Sequence, residues 1–174
     1  MNGYTGKMLR VNLSRGTISS EQPSELFYRQ YLGGSGFISY TLLKEVPRGI
    51  DAFSPENELI FATGPVTGAP VIGSGRNSVG AKSPLTNLYG EGQVGGYWGP
   101  ELKQAGYDAI IIVGQAAEPA YLWIHDGQAE LRDARHMWGK TAGECEQVIK
   151  DELGDRNIRI AQIGPAGENL VRYA

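Results

Sequence analysis

Glycine is the residue type that most constrains what this chain can fold into. The chain has 25 glycines in 174 residues, and 12 of them lie between Gly64 and Gly114. Glycine weakens helices and strands, but it lets a backbone turn tightly or approach a ligand closely. The density over residues 64–99 therefore predicts a loop whose backbone binds a ligand. Ordinary turns in a β-rich domain are the alternative.

The composition is typical of a globular protein and predicts neither a nucleic-acid partner nor a membrane partner. Hydrophobic residues make up 41% and charged residues 20%, which is typical of a folded domain. The net charge is -3 and the basic residues are scattered, so no electrostatic surface for nucleic acid is expected. No apolar run approaches the roughly 20 residues that span a bilayer, and residues 1–10 lack the apolar core of a signal peptide. We expect a cytoplasmic protein without a membrane partner.

The first half of the chain alternates hairpin, helix and strand patterns. Alternating apolar residues at 8–13 and 17–20, around a turn at 14–16, predict a hairpin. Apolar spacing and flanking Ser, Pro and Gly predict helices over 25–31 and 37–46. Residues 59–62 predict a short buried strand that runs into Gly64 and Pro65.

The second half repeats that order. It predicts a hairpin at 120–132, a helix at 141–153 and a strand at 158–163 that runs into Gly164 and Pro165. Between the halves, a helix is expected over 98–105 and a central strand over 109–113. We predict an α+β fold, a duplicated β-sheet domain of two hairpin-helix-strand repeats with short helices. Because the chain ends ten residues after Gly164, we expect residues 1–174 to be one domain cut within its second repeat.

Arg76 is the candidate ligand-binding side chain of the glycine-dense stretch. It lies within Gly73-Ser-Gly-Arg-Asn-Ser78, where small residues expose backbone N–H groups and the guanidinium offers a planar set of donors. A phosphate or a polar heterocycle fits such a site, whereas the alternative is a surface contact of Arg76 on a strand.

Residues 90–95 match the pattern G-x-G-x-x-G, but they do not predict a dinucleotide site. That site requires a strand just before the glycines and an acidic residue at the end of the next strand. Residues 83–88 contain Pro84 and predict a poor strand, and Asp108 precedes the next strand instead of following it.

Side chains suited to catalysis are scarce. His125 lies in a predicted hairpin turn, His136 is expected to be structural, and Cys145 is expected to pack inside a helix. A single cysteine excludes an internal disulfide or a cysteine-rich metal cluster. We predict no catalytic side chain, so any chemistry must come from a cofactor.

An ordered set of short segments resembles the N-terminal domain of tungsten-containing aldehyde ferredoxin oxidoreductases. The set spans essentially the whole chain, and its order and spacing are more specific than any single piece. It consists of residues 6–13, 31–34, 53–57, 62–65, 82–86, 95–97, 101–103, 105–108 and 163–169.

The resemblance implies a tungsten atom held by two pterins, a tungsten bis-pterin cofactor, with this domain as a β-sheet base beneath it. It further implies that a magnesium ion bridges the pterin phosphates and takes a main-chain oxygen from this domain, at Gln93. Arg76 matches the family's pterin-contacting arginine, and Val94, Gly95 and Gly96 complete the expected cofactor-binding residues. Gln93 departs from the asparagine that the family often has there.

The parent reaction implied is oxidation of aldehydes to carboxylic acids, with ferredoxin as electron acceptor. The [4Fe–4S] cluster and the second pterin loop belong to later parts of a longer polypeptide, so the remainder of the enzyme is an expected partner and a homodimer is compatible with the pattern. The isolated chain is expected to be inactive. The alternatives are a related low-potential reductase subunit of the aryl-CoA type and a non-catalytic pterin-binding or scaffold domain.

Overall fold

The computed structural model describes residues 2–174 as eight strands and five α-helices, with a short 3-10 helix at Arg135–Met137. The strands are β1 (Met8–Asn12), β2 (Thr17–Glu21), β3 (Glu58–Thr63), β4 (Asn77–Lys82), β5 (Tyr89–Val94), β6 (Ala109–Val113), β7 (Ala120–His125) and β8 (Gln128–Asp133). The helices are α1 (Glu25–Tyr31), α2 (Ser35–Glu45), α3 (Trp98–Gln104), α4 (Ala142–Leu153) and α5 (Pro165–Glu168).

Six of these strands form one mixed sheet in the order β2-β1-β6-β3-β4-β5, and β7 pairs with β8 in a separate hairpin. β6 is parallel to β1 and antiparallel to β3. Two neighbouring parallel strands need a long crossover connection between them. Here the segment from β2 to α3 connects β1 to β6. The glycine-dense stretch lies within this crossover, starting directly after β3 and ending in α3.

The sheet is covered on both faces, which explains the continuous apolar sequence of β6. Ala109 and Ile111 pack into a cluster with side chains of α1 and α2, including Tyr28 and Phe37. Ile110 belongs to a second cluster with side chains of β1 and α3 and of the β7–β8 hairpin. Burial on both faces requires apolar residues at every position, so the predicted central strand is confirmed.

Helix α2 crosses β4 at a glycine. A Cβ atom on Gly80 would lie 2.6 Å from Cγ2 of Ile38, so only glycine allows the helix to approach this closely. Because side chains alternate between the two faces of a strand, Ser78 on β4 points to the same face as Gly80. This face of the β4–β5 hairpin therefore lies next to α2.

Local signals in the sequence define the helix ends. The Ser24 hydroxyl accepts a hydrogen bond from the backbone N–H of Phe27 at 3.3 Å. Thr141 and Glu144 form a reciprocal capping box at the start of α4, which ends at Gly154 in the left-handed conformation. These helices agree with the predicted positions to within two residues.

The α+β class is confirmed, but the predicted strand at 158–163 is wrong. This segment pairs with no described strand. Its apolar residues Ile158 and Ile160 pack instead in a cluster with Cys145 and Ile149 of α4, while Arg159 lies 4.8 Å from the ring of Tyr97. Alternating side chains can thus be buried against a helix without a strand partner. The second repeat lacks its strand, and the predicted duplication is not confirmed.

Candidate functional site

A groove of about 270 Å³ opens where the start of α2 meets the ends of three neighbouring strands, β3, β4 and β5. Three short segments line it, at residues 32–35, 64–67 and 76–78, together with Ala62 and Gln93. The three strands are antiparallel neighbours. The groove therefore lies at the C-terminal ends of β3 and β5 and at the N-terminal end of β4. The glycine-dense stretch thus contributes two of the three segments.

The register of β4 and β5 brings distant site residues together. Asn77 pairs with Val94, and Ser78 pairs with Gln93. Arg76 immediately precedes the first of these pairs, and it lines the groove together with Gln93. The predicted grouping of Arg76 with residues 93 and 94 therefore follows from the ladder of a single hairpin.

Glycines allow the backbones on either side of this hairpin end to touch. A Cβ atom on Gly75 would lie 2.3 Å from the carbonyl oxygen of Gly96, so the two chains are in direct contact. Gly96 has a φ of +98°, which disfavours any residue with a side chain. No described atom lies within 4 Å of the Cβ position of Gly95 or of Gly96, so their open side faces outward and is accessible to a ligand.

The Thr67 hydroxyl and a backbone hydrogen bond of Gly68 hold the loop that carries Arg76. The Thr67 hydroxyl accepts from the N–H of Gly64 at 2.9 Å and donates to the carbonyl oxygen of Arg76 at 2.7 Å. The N–H of Gly68 donates to the carbonyl oxygen of Ser74 at 2.9 Å. The backbone at Arg76 is therefore fixed by the loop that forms the opposite side of the groove.

The Arg76 side chain is exposed and available to an anion. Within residues 2–174, no carboxylate lies within 4.0 Å of its guanidinium. Lys82 lies at the opposite end of β4, where its ammonium donates to the carbonyl oxygen of Ile50. Arg76 is thus the cation of the groove-lining set, and an arginine can bind a phosphate with two parallel hydrogen bonds.

Glu91 connects the two walls of the groove. Its carboxylate accepts from the Ser35 hydroxyl at 2.6 Å, from the Tyr89 hydroxyl at 2.5 Å and from Nε2 of Gln93 at 3.4 Å. Burial raises the pKa of Glu91, but these hydrogen bonds outweigh burial and hold the pKa below its ordinary value. Glu91 is therefore a carboxylate at neutral pH.

A buried aspartate is bonded to the residue that precedes the groove loop. Asp108 is fully buried and accepts from the N–H groups of Thr5 and Gly6 at 3.0 and 2.8 Å, with the Lys103 ammonium 3.4 Å away. Its main-chain oxygen accepts from both the N–H and the hydroxyl of Thr63, each at 2.9 Å. Thr63 directly precedes the groove loop, so Asp108 fixes where that loop starts.

The structure groups the residues that the sequence singled out, and it adds others. Arg76 and Gln93 line the groove, while Val94, Gly95 and Gly96 are exposed directly beside it. Sequence reasoning missed Ser35, Thr67 and Glu91. Residues 33–36, Gly-Gly-Ser-Gly ahead of a helix, carried a usable signal, but Gly33 and Gly34 were interpreted only as the end of a helix and as part of a family segment.

The remaining candidates for chemistry behave as structural residues. Cys145 is buried in α4, with its thiol 3.5 Å from the carbonyl oxygen of Met137. His136 pairs with Glu152 at 3.3 Å on the surface. In the described part of the chain, no three His, Cys, Asp or Glu side chains come together as a metal site. None of the helices in residues 2–174 is long and apolar enough to cross a membrane.

A family model named "Aldehyde ferredoxin oxidoreductase, N-terminal domain" matches residues 8–174. The chain belongs to this family. The resemblance inferred from its short segments is therefore confirmed.

The curated relatives of this chain are much longer proteins. The chain is 55% identical over 174 residues to the "Tungsten-containing aldehyde ferredoxin oxidoreductase" of Pyrococcus abyssi, covering all of this chain and 29% of that protein. It is 34% identical over 189 residues to the "Aliphatic sulfonate oxidoreductase, WOR-like subunit" of Pyrococcus furiosus, covering all of this chain and 30% of that protein. The chain therefore spans less than a third of these relatives.

A solved structure has the same fold as this chain. The "Active site complex BamBC of Benzoyl Coenzyme A reductase in complex with 1,5 Dienoyl-CoA" superimposes with a TM-score of 0.97 at 43% identity. The match covers 99% of this chain and 26% of that one.

Proposed function

We propose that this chain is the N-terminal, cofactor-binding domain of a tungsten bis-pterin oxidoreductase that oxidises aldehydes to carboxylic acids with ferredoxin as acceptor. The observation that carries the proposal is the groove in which Arg76 lies beside the exposed backbone of Gly95 and Gly96. The curated relative that is 55% identical bears the name of such an enzyme. The rest of the polypeptide or a second subunit would supply the remaining domains, including any [4Fe–4S] cluster.

The residues of the groove fit one phosphate-bearing pterin. Arg76 has no carboxylate partner among residues 2–174, so its charge is available to an anion. The open sides of Gly95 and Gly96 let a ligand contact the backbone. At about 270 Å³ the groove is slightly smaller than typical ligand pockets of roughly 300–1,000 Å³, as expected for part of a larger site.

Each residue has a defined task in this proposal. Arg76 would neutralise the pterin phosphate, and the main-chain oxygen of Gln93 would help to hold a magnesium ion between two such phosphates. Val94, Gly95 and Gly96 would let the cofactor lie against the backbone. When bound, the tungsten centre supplies the two-electron redox chemistry, whereas this domain binds and orients the cofactor without contributing a catalytic side chain.

A related low-potential reductase subunit is the second candidate. The structural match to the benzoyl-CoA reductase complex, at 43% identity over 99% of this chain, favours it as an alternative use of the same domain. With either function, the groove would bind the cofactor. The substrate would be selected by parts of the enzyme outside residues 1–174.

The decisive experiment changes Arg76 in the complete enzyme. We expect Arg76→Ala to lower the pterin and tungsten content per polypeptide at least tenfold, because the phosphate would lose its charged hydrogen-bond partner, worth about 1.5–3 kcal/mol. The matched control is Arg48→Ala, which removes an exposed arginine outside the groove and should leave the content unchanged. Full pterin and tungsten content in Arg76→Ala would refute the proposal.

A further inference from the structure

The outer side of helix α2 presents apolar side chains to solvent, although the helix already packs on the sheet with its inner side. Phe37 and Ile38 are fully buried in the cluster that includes side chains of β3 and β6, whereas Leu43 is 87% exposed. A helix that faces solvent has polar residues on its outer side, and α4 follows this rule, because none of the large apolar side chains of Ala142–Leu153 is exposed. The outer side of α2 therefore has the composition of a covered surface.

A second groove, of about 350 Å³, lies on this outer side at the corner between α1 and α2. We call it the α1–α2 groove, and it shares no lining residue with the groove at Arg76. Its lining residues are Tyr31, Gly36, Ser39, Tyr40, Leu43 and Lys44. Those from α2 recur at intervals of three or four residues, so they follow one side of the helix.

Packed aromatic rings form part of the α1–α2 groove. The ring centroids of Tyr31 and Tyr40 are 4.5 Å apart, and the ring of Phe27 lies 5.1 Å from that of Tyr40. Gly36 lets the two helices meet here, because a Cβ atom on it would lie 2.0 Å from the carbonyl oxygen of Tyr31. Tyrosine is enriched among the residues that dominate the binding energy of protein interfaces. The groove therefore has side chains suited to a protein partner.

The C-terminal end of the α1–α2 groove carries an unpaired cation. Within residues 2–174, no carboxylate lies within 4.0 Å of the Lys44 ammonium. Two acidic residues of the same helices are already paired, Glu45 with Arg10 at 3.0 Å and Glu25 with Arg29 at 3.8 Å. An apolar surface beside a free ammonium is complementary to an apolar segment that carries an aspartate or a glutamate.

We propose that the α1–α2 groove is the docking surface for an apolar, acid-bearing segment of the polypeptide that follows residue 174 in the complete enzyme. The proposal rests on the part of the proposed function that makes this chain a domain of a longer enzyme, and it does not depend on what binds at Arg76. The chain covers only 29% of the relative that is 55% identical to it. A segment of the same polypeptide is held near the groove at a high effective concentration.

A second copy of this chain is a poorer match for the groove. Two identical surfaces that meet about a two-fold axis must be complementary to themselves. Here each surface would bring one Lys44, while Glu25 and Glu45 are engaged by their own arginines. Both ammonium groups would lose water without gaining a partner, which costs free energy. The charges therefore favour a different surface that supplies the missing carboxylate.

Leu43→Asp in the complete enzyme tests whether the groove is covered. A charge placed in an apolar contact should lower the midpoint of thermal unfolding by about 2–4 °C or more, whereas at a solvent-exposed position it should change little. Leu43→Met keeps an apolar side chain and is the matched control, with the midpoint of the unaltered enzyme expected. An unchanged midpoint in Leu43→Asp would overturn the proposal.

Carbodiimide coupling of the complete enzyme identifies what covers the groove. The reagent joins the Lys44 ammonium to a carboxylate in contact with it as an amide, and it takes up the water that is lost. Peptide mapping should find Lys44 joined to an aspartate or glutamate beyond residue 174, in a product that keeps the mass of one polypeptide on a denaturing gel. Lys44→Arg keeps the charge but cannot couple, so this product should disappear.

The proposal requires both results. A product with the mass of two polypeptides, which would indicate a second copy, overturns it, and so does the absence of any product at Lys44. Either failure together with loss of cofactor in Arg76→Ala would leave the proposed function standing and remove only the docking surface. Full cofactor content in Arg76→Ala would count against the proposed cofactor binding and would leave the docking surface untouched.

Discussion

Residues 8–65 and 120–165 follow the same order of hairpin, helix, extended segment and Gly-Pro, yet they are built differently. In the first stretch, β3 lies between β4 and β6 and is paired along both edges. In the second, residues 158–163 pair with no described strand and lie against α4. The comparison teaches that an apolar alternation specifies which side chains are buried, whereas a neighbouring strand decides whether the segment joins a sheet.

The largest expected difference between the two stretches comes from truncating one isoleucine in each. Ile60 in β3 is fully buried, whereas Ile160 in the unpaired segment is half-buried. Ile60→Ala should lower the free energy of unfolding by about 3–4 kcal/mol because it leaves a cavity that the paired strands cannot close. Ile160→Ala should lower it by about 1 kcal/mol. Urea denaturation of the two variants, followed by tryptophan fluorescence, measures both values, and equal losses would contradict the comparison.

A buried carboxyl group with a raised pKa gives the first stretch a pH dependence, whereas the shifted carboxyl groups of the second stretch, Asp133, Glu144 and Glu146, have lowered pKa values. Glu58 of β3 is surrounded by Arg10, Glu21 and Glu45. Burial, followed by repulsion from Glu45, raises the pKa of Glu58 to about 7, although Arg10 opposes this. The folded-state pKa lies above the unfolded value, so the stability that the protonated carboxyl contributes is complete below pH 4.5 and is lost as the pH rises through 7.

We therefore expect Glu58→Gln to stabilise the chain by about 1–3 kcal/mol at pH 8 and to have little effect at pH 4.5. Urea denaturation at the two pH values measures the change. Glu146→Gln, on the exposed face of α4, is the control and should show no gain at pH 8. A gain of the same size at both pH values would show that the charge of Glu58 is not responsible.

The smallest expected effects come from the helix caps of the two stretches. Thr141 and Glu144 exchange two hydrogen bonds at the start of α4, whereas Ser24 accepts one at the start of α1. Thr141→Ala should cost about 1–1.5 kcal/mol and Ser24→Ala about 0.5–1 kcal/mol. Hydrogen exchange of the first amides in each helix measures the local loss. A larger loss in α1 would mean that tertiary contacts, and not the capping box, hold the start of α4.

Much of the fold and part of the site could be predicted from local patterns. The helices over 25–31, 37–46 and 141–153 follow from apolar spacing and from caps such as Ser24 and Gly154, and all three are confirmed. Parts of the glycine-dense stretch line the groove with Arg76, and the binding of a ligand there stays a prediction. Glu91 was missed because an acidic residue in an edge strand has no signature until its partners are known.

The sequence by itself determined which segments become helices and hairpins, because caps, turn glycines and side-chain periodicity act over a few residues. It also determined the family, through an ordered set of short segments. Only the tertiary structure decided that β3 is a central strand and residues 158–163 are not, because pairing depends on a neighbour distant in sequence. The same reason holds for the groove, since the β4–β5 register brings Arg76 beside the glycine pair and α2 brings Ser35 to Glu91.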